Sequence, residues 1–382
     1  MSLSIILSNM KPFVNRMSED NGELTFTLSG VDVSIANSIR RIILSEIPCV
    51  VFRTTPYSEN KVFIQTNTTR MNNELIKQRM SCIPIYITDT STPIEQYKVM
   101  LDKHNEGDTI LHVTTEDFTI IDTNTDTALP QAMVKSMFPQ DSLTGDYIDI
   151  VRLRPRLTET IEGEHIVLSA SFTIGMAKEN GSFNVVSTCS YGNTVNADMV
   201  NDHLSKYVDG LKIEQLSEDT LEFKKKDWLL LNSEVYSIPD SFDFTIETVG
   251  QFDNKVIVLK GVHVMMDKIN KFKSTVQTED IIHTTVSSIE HGFDIKLIGE
   301  DYTLGKALEY VLFARHYDRQ STTSDKSLNF CGFRKPHPHI DESIIRLGFV
   351  APTDKNSVIQ VLTESCKALE AIYMDIAAFF TE

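Results

Sequence analysis

Gly299, Gly305 and Lys306 are the residues whose types and spacing come nearest to a nucleotide-binding site. A phosphate-binding loop has four residues between its glycines, and a serine or threonine after the lysine that reaches Mg²⁺. Here five residues separate the glycines, Ala307 follows the lysine, and the two acidic residues after Gly299 would repel phosphate. A turn that enters a helix explains the same residues. We nevertheless keep a free-standing nucleotide-binding enzyme as an alternative hypothesis for the function of this chain.

Histidine and cysteine supply no stronger candidate. His337 and His339 lie in a proline-rich segment, but two histidines without a nearby acidic or cysteine partner are a weak metal signal. Cys189 lies in a strand-like run, and the sequence shows no base that would activate its thiol. The five cysteines are scattered without a CxxC pair, which indicates a reducing compartment and no cysteine-built zinc site. We therefore predict no catalytic residue, no cofactor and no metal.

Length and charge narrow the class of protein. A chain of 382 residues predicts two or three compact units. Its 53 acidic and 36 basic residues give a net charge of −17, which disfavours a direct grip on nucleic acid. No apolar run approaches the ~20 residues of a membrane span, and the N-terminus lacks the basic start of a signal peptide. We expect an intracellular protein without membrane contact.

Asn37, Arg40 and Arg41 favour a protein interface over catalysis. They lie on the side of a predicted helix that faces away from an isoleucine ridge. Two solvated arginines on a surface helix are the alternative interpretation. Arginine is enriched at interfaces because its planar guanidinium makes paired hydrogen bonds and its stem packs. We therefore predict that this edge contacts a partner protein.

The helix that carries this edge follows a strand and a glycine. Residues 24–28 alternate between apolar and polar, Gly30 breaks the strand, and Asp32 or Ser34 can cap the helix. Pro48 ends the apolar run that follows. The ridge consists of residues at helical spacing, namely Ile35, Ile39, Ile42 and Ile43.

A second copy of this pattern lies near the other end of the chain. Gly30 and Gly299 are 269 positions apart (299 − 30 = 269), and so are Asp32 and Asp301 (301 − 32 = 269). A long amphipathic helix is predicted after each copy, over residues 255–272 and 358–380. The ridge of the second copy consists of Leu304, Leu308, Val311 and Leu312. Because neither ridge can be buried alone, we predict that the two modules pair about a pseudo-two-fold axis, with the eight ridge residues as their common core.

The middle of the chain has a different sequence pattern from the two ends. Short alternating runs separated by Asn, Asp, Thr and Gly predict a mainly β inserted domain over residues 55–225. The first module then comprises residues 1–54 and 226–275, and the second comprises residues 291–382 after a join at 276–290. The predicted fold class is α+β, a pseudo-symmetric dimerisation module formed by two halves of one chain with an inserted β domain.

Several segments resemble the assembly subunits of multisubunit RNA polymerases. LSGVDVSIANSIRRIILSEIP (residues 28–48) is similar to the signature helix of the bacterial alpha subunit, of the archaeal D-type protein and of the third-largest subunit of polymerase II. Further segments similar to that family follow in the same order at residues 67–85, 183–191 and 244–250. In the second half, residues 299–308 and 331–338 resemble the archaeal L-type protein and the eleventh polymerase II subunit.

The resemblance implies a non-catalytic platform on which the largest and second-largest polymerase subunits assemble, together with small polymerase subunits. DNA and RNA would be met only through the complex. Matched by position, Arg40 and Arg41 correspond to the helix edge that contacts the second-largest subunit, and Ile35, Ile39, Ile42 and Ile43 correspond to the dimer core. Relatives often hold a metal with cysteines in the inserted domain; no such cluster exists here.

Fusion of two halves that are separate chains in cellular relatives resembles large DNA viruses of eukaryotes. This implies a viral factory in the cytoplasm, or the nucleus, as the site of action, with packaging in the virion as a further expectation. A virion structural protein without polymerase association is a further alternative function.

Overall fold

The structure is a computed structural model that describes residues 11–381, except 90–92, 157, 159–161, 213–216, 286–287 and 323. The prediction about a signal peptide concerns residues 1–10 and lies outside the described residues, as does part of the expected join. The chain forms two compact units. The first comprises residues 11–42, 188–247 and 254–381, and the second comprises residues 43–187 and 248–253.

The first unit contains two four-stranded sheets, and all elements are numbered here in chain order. The first sheet has the order β1 (Phe13–Asp20), β2 (Glu23–Ser29), β13 (Ser237–Thr248), β12 (Val186–Val195). The second has the order β14 (Ile282–Thr284), β15 (Gly292–Ile298), β17 (Glu342–Phe349), β16 (Leu328–Arg334). The helices of this part of the chain are α1 (Val33–Ser45), α4 (Ala197–Lys212), α5 (Glu218–Asn232), α6 (Asn254–Thr278), α7 (Tyr302–Leu312) and α8 (Lys355–Ala378).

The two sheets share one connectivity. In each, a hairpin of two strands leads into a helix, and two later strands then return to complete the sheet in the same spatial order. A long helix, α6 or α8, follows each sheet. The α+β class and the two long amphipathic helices predicted from the sequence are confirmed, and α6 extends six residues beyond the predicted end at 272 (278 − 272 = 6).

The entry turns of α1 and α7 are built alike. Gly30 and Gly299 have positive φ of 74° and 73°, in the left-handed region that favours glycine. A Cβ on Gly30 would lie 2.5 Å from the carbonyl oxygen of Lys11. Asp32 Oδ1 then accepts a hydrogen bond from Ser34 N at 2.8 Å, and Asp301 Oδ1 accepts one from Thr303 N at 2.9 Å. Both predicted caps therefore use aspartate.

The core of the first unit joins the helices to aromatic residues on the first sheet. Phe26 of β2 stacks on Phe244 of β13 with ring centroids 5.0 Å apart, because the two residues are partners in the antiparallel register. Phe380, just after α8, meets Phe26 edge to face at 5.1 Å. Along its length α8 packs on α6 and on α7. The chain thus closes its last helix over its first hairpin.

The second unit is the β-rich one. Its five-stranded sheet has the order β4 (Val62–Asn67), β10 (His165–Ser171), β5 (Tyr97–His104), β7 (Thr119–Asp122), β8 (Thr127–Ala128). Two-stranded sheets are formed by β3 (Cys49–Val51) with β11 (Thr173–Gly175) and by β6 (Leu111–Thr114) with β9 (Asp149–Leu153). Its helices are α2 (Asn73–Ser81), which Asn72 caps, and α3 (Gln131–Met137). Its core includes a cluster of phenylalanines in which Phe52 stacks on Phe138 and Phe172.

The compact units do not follow the predicted domain boundaries. The sequence predicts the inserted domain over residues 55–225, whereas the second unit takes in residues 43–187 and 248–253. Residues 188–225 belong to the first unit because β12 is hydrogen-bonded to β13 in the first sheet, and α4 follows β12. The join expected at 276–290 is also shorter, since α6 continues to Thr278 and β14 begins at Ile282. Alternation alone does not reveal which neighbour a strand pairs with.

Candidate protein interface

A cavity of about 530 Å³ lies between α1 and α7. On the α1 side it is lined by Asp32, Val33, Ser34, Asn37, Ser38 and Arg41, and on the other side by residues of α7 and of the neighbouring strand β16. Tyr191 of β12 completes the wall. The two signature helices, 269 positions apart in sequence, therefore face one space.

Arg41 is engaged inside the chain. Its Nη2 donates to Asp301 Oδ2 at 2.5 Å, which ties α1 to the carboxylate that caps α7. The side chains of both residues keep about one third of their surface exposed, 36% and 35%, so solvent screens this pair. The sequence predicts an outward contact for Arg41, and the structure adds a partner within the same unit that the sequence does not reveal.

Arg40 and Asn37 form a local pair on the same helix. Arg40 Nε and Nη2 both donate to Asn37 Oδ1, at 3.1 and 2.9 Å. The amide thus holds the guanidinium in one orientation, one helical turn away. Arg40 is half-buried, and its charge opposes the effect of burial on the pKa of Cys189, which burial raises to about 12.

All eight residues predicted to form the common core are buried. Their exposed fractions range from 0 to 2%, for Ile35, Ile39, Ile42, Ile43, Leu304, Leu308, Val311 and Leu312. Ile43 is the exception in one respect, because it belongs to the second compact unit while the other seven belong to the first. One further contact ties α1 to α8: Ser38 Oγ lies 2.5 Å from the hydroxyl of the fully buried Tyr373.

The residues considered for chemistry lie in ordinary structural environments. Lys306 Nζ pairs with Glu309 Oε2 at 2.5 Å, and the turn before it is the entry of α7. His337 Nδ1 accepts a hydrogen bond from His339 N in the loop between β16 and β17. Burial raises the pKa of Cys189 to about 12, so its thiol is protonated at neutral pH. No nucleophile or phosphate cradle is assembled from these residues.

Two observations bear on metals and membranes. Among the described residues, no group of three or more His, Cys, Asp and Glu side chains is placed to hold a metal ion. In the same part of the chain, no helix combines the length and the apolar character that crossing a bilayer needs. All five cysteines are free thiols.

Charged pairs at two further positions connect elements from the two ends of the sequence. Lys268 of α6 lies 3.0 Å from Glu300, and both side chains are largely buried, with 14% and 13% exposed. Lys273 of α6 lies 3.1 Å from Glu370 of α8. These pairs help to fix how the segments pack, because a slip would leave largely buried charges unpaired. These contacts define a packing module that joins segments from both ends of the sequence.

The comparison with known families agrees with that class. A family model described as the RNA polymerase Rpb3/Rpb11 dimerisation domain matches residues 25–269, more than half of the chain, and the chain belongs to this family. The match includes most of β2, all of α1 and the first 16 of the 25 residues of α6, and it ends before the second sheet.

Curated relatives are polymerase subunits. The DNA-directed RNA polymerases I and III subunit rpac1 of Dictyostelium discoideum is 24% identical over 294 residues, which cover 67% of this chain and 79% of that protein. The human RPAC1 subunit is 23% identical over 298 residues, 66% of this chain and 81% of the relative. The DNA-directed RNA polymerase subunit Rpo3 of Pyrococcus furiosus is 22% identical over 289 residues, 69% of this chain and 97% of the relative. This chain is homologous to these subunits, and the nucleotide-binding alternative is not supported.

Sequence reasoning missed three residues that shape the site. Tyr373 is predicted only as part of the apolar face of the last helix, although its hydroxyl reaches Ser38. Tyr310 lies at the end of α7 and lines the cavity, and Asp240 lies in β13 beside Gly30. The offset of 269 would have found Tyr310, because it occupies the position of Arg41 (310 − 41 = 269). No sequence signal marks Asp240.

Proposed function

We propose that this protein is the non-catalytic assembly platform of a multisubunit DNA-directed RNA polymerase, on which the two largest subunits assemble. Family membership and homology to polymerase subunits carry the proposal. The absence of any assembled nucleophile or nucleotide cradle among the described candidate residues is compatible with it. Catalysis would belong to the partner subunits, and nucleic acid would be met through the complex.

The two halves, in this proposal, are pseudo-symmetric and pair within one polypeptide. The like-ordered sheets support this, and so do the contacts that join early and late segments: Arg41 with Asp301, Ser38 with Tyr373, and Phe26 with Phe380. A tether replaces a bimolecular encounter by a high effective concentration of the partner half. The fused halves would then do in one chain what separate subunits do in cellular relatives.

Arg40 and Asn37 are the proposed contact with the second-largest subunit. Arg40 is half-buried and oriented by Asn37, and it makes no other hydrogen bond with the described residues. A pre-oriented guanidinium binds a carboxylate or a carbonyl at a lower cost in side-chain entropy. Arg41, held by Asp301, contributes to the edge mainly through its charge.

Co-expression with the two largest subunits of the same source tests the platform. Arg40→Ala is expected to leave the chain folded and to lower recovery of the second-largest subunit about tenfold, as for loss of one interface arginine. Lys226→Ala, which removes an exposed cation on α5, is the matched control and should recover that subunit normally. Normal recovery with Arg40→Ala removes this residue from the interface. Failure of the wild-type chain to recover either large subunit rejects the platform itself.

Origin in a large DNA virus of eukaryotes, action in a cytoplasmic viral factory or the nucleus, and packaging in the virion are further parts of the proposal. Mass analysis of the native complex that contains this chain would identify its other subunits. It would also separate the polymerase platform from a virion structural protein, since only the platform requires two much larger chains in stoichiometric amounts.

A further inference from the structure

The cavity between α1 and α7 has two chemically different ends. The helices run antiparallel, since Arg41 near the end of α1 pairs with Asp301 at the start of α7, and the charge of Asp32 at the start of α1 acts on Tyr310 near the end of α7. Under the offset of 269, Asp32 corresponds to Asp301 and Arg41 corresponds to Tyr310 (310 − 41 = 269). The end at Asp301 therefore has its cation, whereas at the other end a tyrosine takes the place of the arginine.

At the end where Tyr310 replaces the arginine, Asp32 lines the cavity and Asp240 lies near it, outside the lining. Asp240 is placed beside the entry of α1 because its carbonyl oxygen accepts a hydrogen bond from Gly30 N at 2.7 Å. Among the described residues, no lysine or arginine forms an ion pair with Asp32 or Asp240. Burial raises the pKa of Asp240, and the Asp32 charge raises it further, as two neighbouring carboxylates without a counter-charge should.

The pKa of Tyr310 responds to the same two carboxylates. Its pKa is raised by burial first, then by the charges of Asp32 and Asp240. Tyr310 and Asp32 both line the cavity, so the charge of Asp32 lies at its wall. A cation that enters at this end would relieve the repulsion between the carboxylates.

The cavity also offers aromatic faces and unpaired hydroxyls. Tyr191 and Tyr302 line it together with Tyr310. Thr303, only 2% exposed, lines the other end, and its Oγ1 has no hydrogen-bond partner within the described structure. Ser34, at the equivalent position of α1 (303 − 34 = 269), also has a buried hydroxyl oxygen without a partner. Unsatisfied buried hydroxyls are rare because each costs desolvation without a compensating bond.

We propose that this cavity receives an arginine side chain from a partner polymerase subunit, with the guanidinium seated against Asp32 and Tyr310, where the charge of the neighbouring Asp240 adds to the attraction. The polar backbone of the same partner segment then reaches the hydroxyl of Thr303. The inference rests on the platform function proposed above and names the chemistry of one of its contacts. It is distinct from the Arg40 edge, since here the platform supplies the acids and the partner supplies the base.

Arginine fits better than other occupants. Its planar guanidinium can bond the Asp32 carboxylate through two N–H groups and stack on a tyrosine face at once, which a lysine ammonium cannot do. An acidic or phosphorylated segment is disfavoured because the two basic residues of the lining are already paired, Arg41 with Asp301 and Lys306 with Glu309. The chain's net charge of −17 also favours a basic partner segment.

A small-molecule titration tests the cavity without any partner subunit. The full chain is labelled with fluorotyrosine, the Tyr310 and Tyr302 resonances are assigned with Tyr→Phe variants, and N-acetyl-arginine amide is added. N-acetyl-citrulline amide, a neutral isostere, is the matched probe. We expect saturable shifts of the Tyr310 resonance with the arginine probe and none with citrulline. Equal responses to the two probes, or no response to arginine, overturn the proposal.

The Asp240→Asn variant should lower the affinity for the arginine probe about tenfold. Asparagine tolerates the left-handed backbone of residue 240, where φ is 59°, so the fold is kept while the charge is removed. Asp32→Asn should act likewise, because asparagine caps a helix as well as aspartate does. Asp267→Asn, which removes a carboxylate of α6 away from the cavity lining, should leave the affinity unchanged. Unchanged affinity in both cavity variants overturns the proposal.

Co-expression then places the cavity in assembly. If the wild-type chain recovers the large subunits and Asp32→Asn with Asp240→Asn recovers them equally well, the cavity inference fails and the platform stands. If the wild-type chain recovers neither, the platform fails, and the arginine titration still decides whether the cavity binds a guanidinium. Loss of one large subunit in the double variant, with Asp267→Asn unaffected, supports both.

Discussion

The two sheets of the first unit have the same architecture but differ in the segments inserted between their strands. Each has the same strand order, a positive-φ glycine, an aspartate cap and a buried ridge. The first sheet takes a whole β-rich unit between α1 and β12, and the helices α4 and α5 between β12 and β13. The second sheet has only the loop 335–341 at the latter place. The two sheets therefore match in their strands and differ in their connections, because loops accept large insertions.

Outside the buried ridge, side chains at equivalent positions of the two modules also differ. Asp294 and Arg346 are cross-strand partners in the second sheet, and Thr25 and Thr245 occupy the equivalent pair in the first (294 − 269 = 25). Arg41 and Tyr310 differ in the same way. The ridge residues keep the two modules alike, and these positions make the two sheets chemically different.

The largest expected effect tests whether the ridge is core. Ile39→Asp buries a carboxylate at a position that is 1% exposed, which should cost about 4 kcal/mol or more, a large part of a typical domain's stability. We expect loss of the cooperative unfolding transition of the first unit by circular dichroism. Ile298→Asp, at a position that is 60% exposed in β15, is the matched control and should unfold like the wild type. A wild-type melting temperature for Ile39→Asp would show that the ridge is not core.

A smaller effect is expected at the contact between α1 and α8. Ser38 Oγ donates to Ile35 O at 2.6 Å, so the hydroxyl of Tyr373 is the donor in the bond to Ser38. Tyr373→Phe removes that donor and should lower the free energy of unfolding by about 1 kcal/mol. Urea denaturation measures the change. Tyr57→Phe, at a side chain that is 88% exposed, should have no effect; equal stabilities for all three proteins would mean that the hydroxyl contact contributes nothing.

The smallest expected effect is a pH dependence of the free energy of unfolding that arises from an ion pair in the second sheet and has no counterpart at the equivalent positions of the first. Arg346 Nε and Nη2 donate to the two oxygens of Asp294 at 2.6 and 2.7 Å, and this bonding lowers the pKa of Asp294 below its ordinary 3.8. The ion pair therefore stabilises the fold above that value, and the contribution is lost as pH falls through the lowered pKa. Since both side chains are about one fifth exposed, we expect at most about 1 kcal/mol.

Arg346→Met should remove this part of the acid sensitivity, measured by urea denaturation between about pH 2 and pH 6. Thr245→Val, at the position of the first sheet that corresponds to Arg346, should leave the shape of the pH dependence unchanged because no charge is involved. A stability curve of Arg346→Met that runs parallel to that of the wild type would assign the acid sensitivity to other carboxylates.

Local signals in the sequence predicted the elements that repeat, and long-range pairing decided the rest. Gly30, Asp32 and the spacing of the isoleucines specify α1 because capping and amphipathicity act within a few residues. The sequence did not predict strand β1 because only Val14 of its eight residues is buried, so no alternation of apolar and polar residues marks it. Helix α5 escaped for the same reason, since none of its residues is buried.

The candidate site was predictable in part. The sequence marked Arg40, Arg41 and Asn37 by type and by their side of the helix. It did not reveal that Asp301 would engage Arg41, or that Asp240, more than 200 positions from Asp32 (240 − 32 = 208), would lie beside it. Contacts between residues so far apart depend on the packed fold, which no local pattern encodes.

Only residues 279–281 separate the end of α6 from the start of β14. Three residues reach at most about 10 Å. Because both sheets belong to one chain, they are always synthesised in a one-to-one ratio and close together. Differences in gene expression therefore cannot change that ratio. Diluting the protein should not take the sheets apart, and a protease that cuts between α6 and β14 would be the direct way to ask whether they hold together without the link.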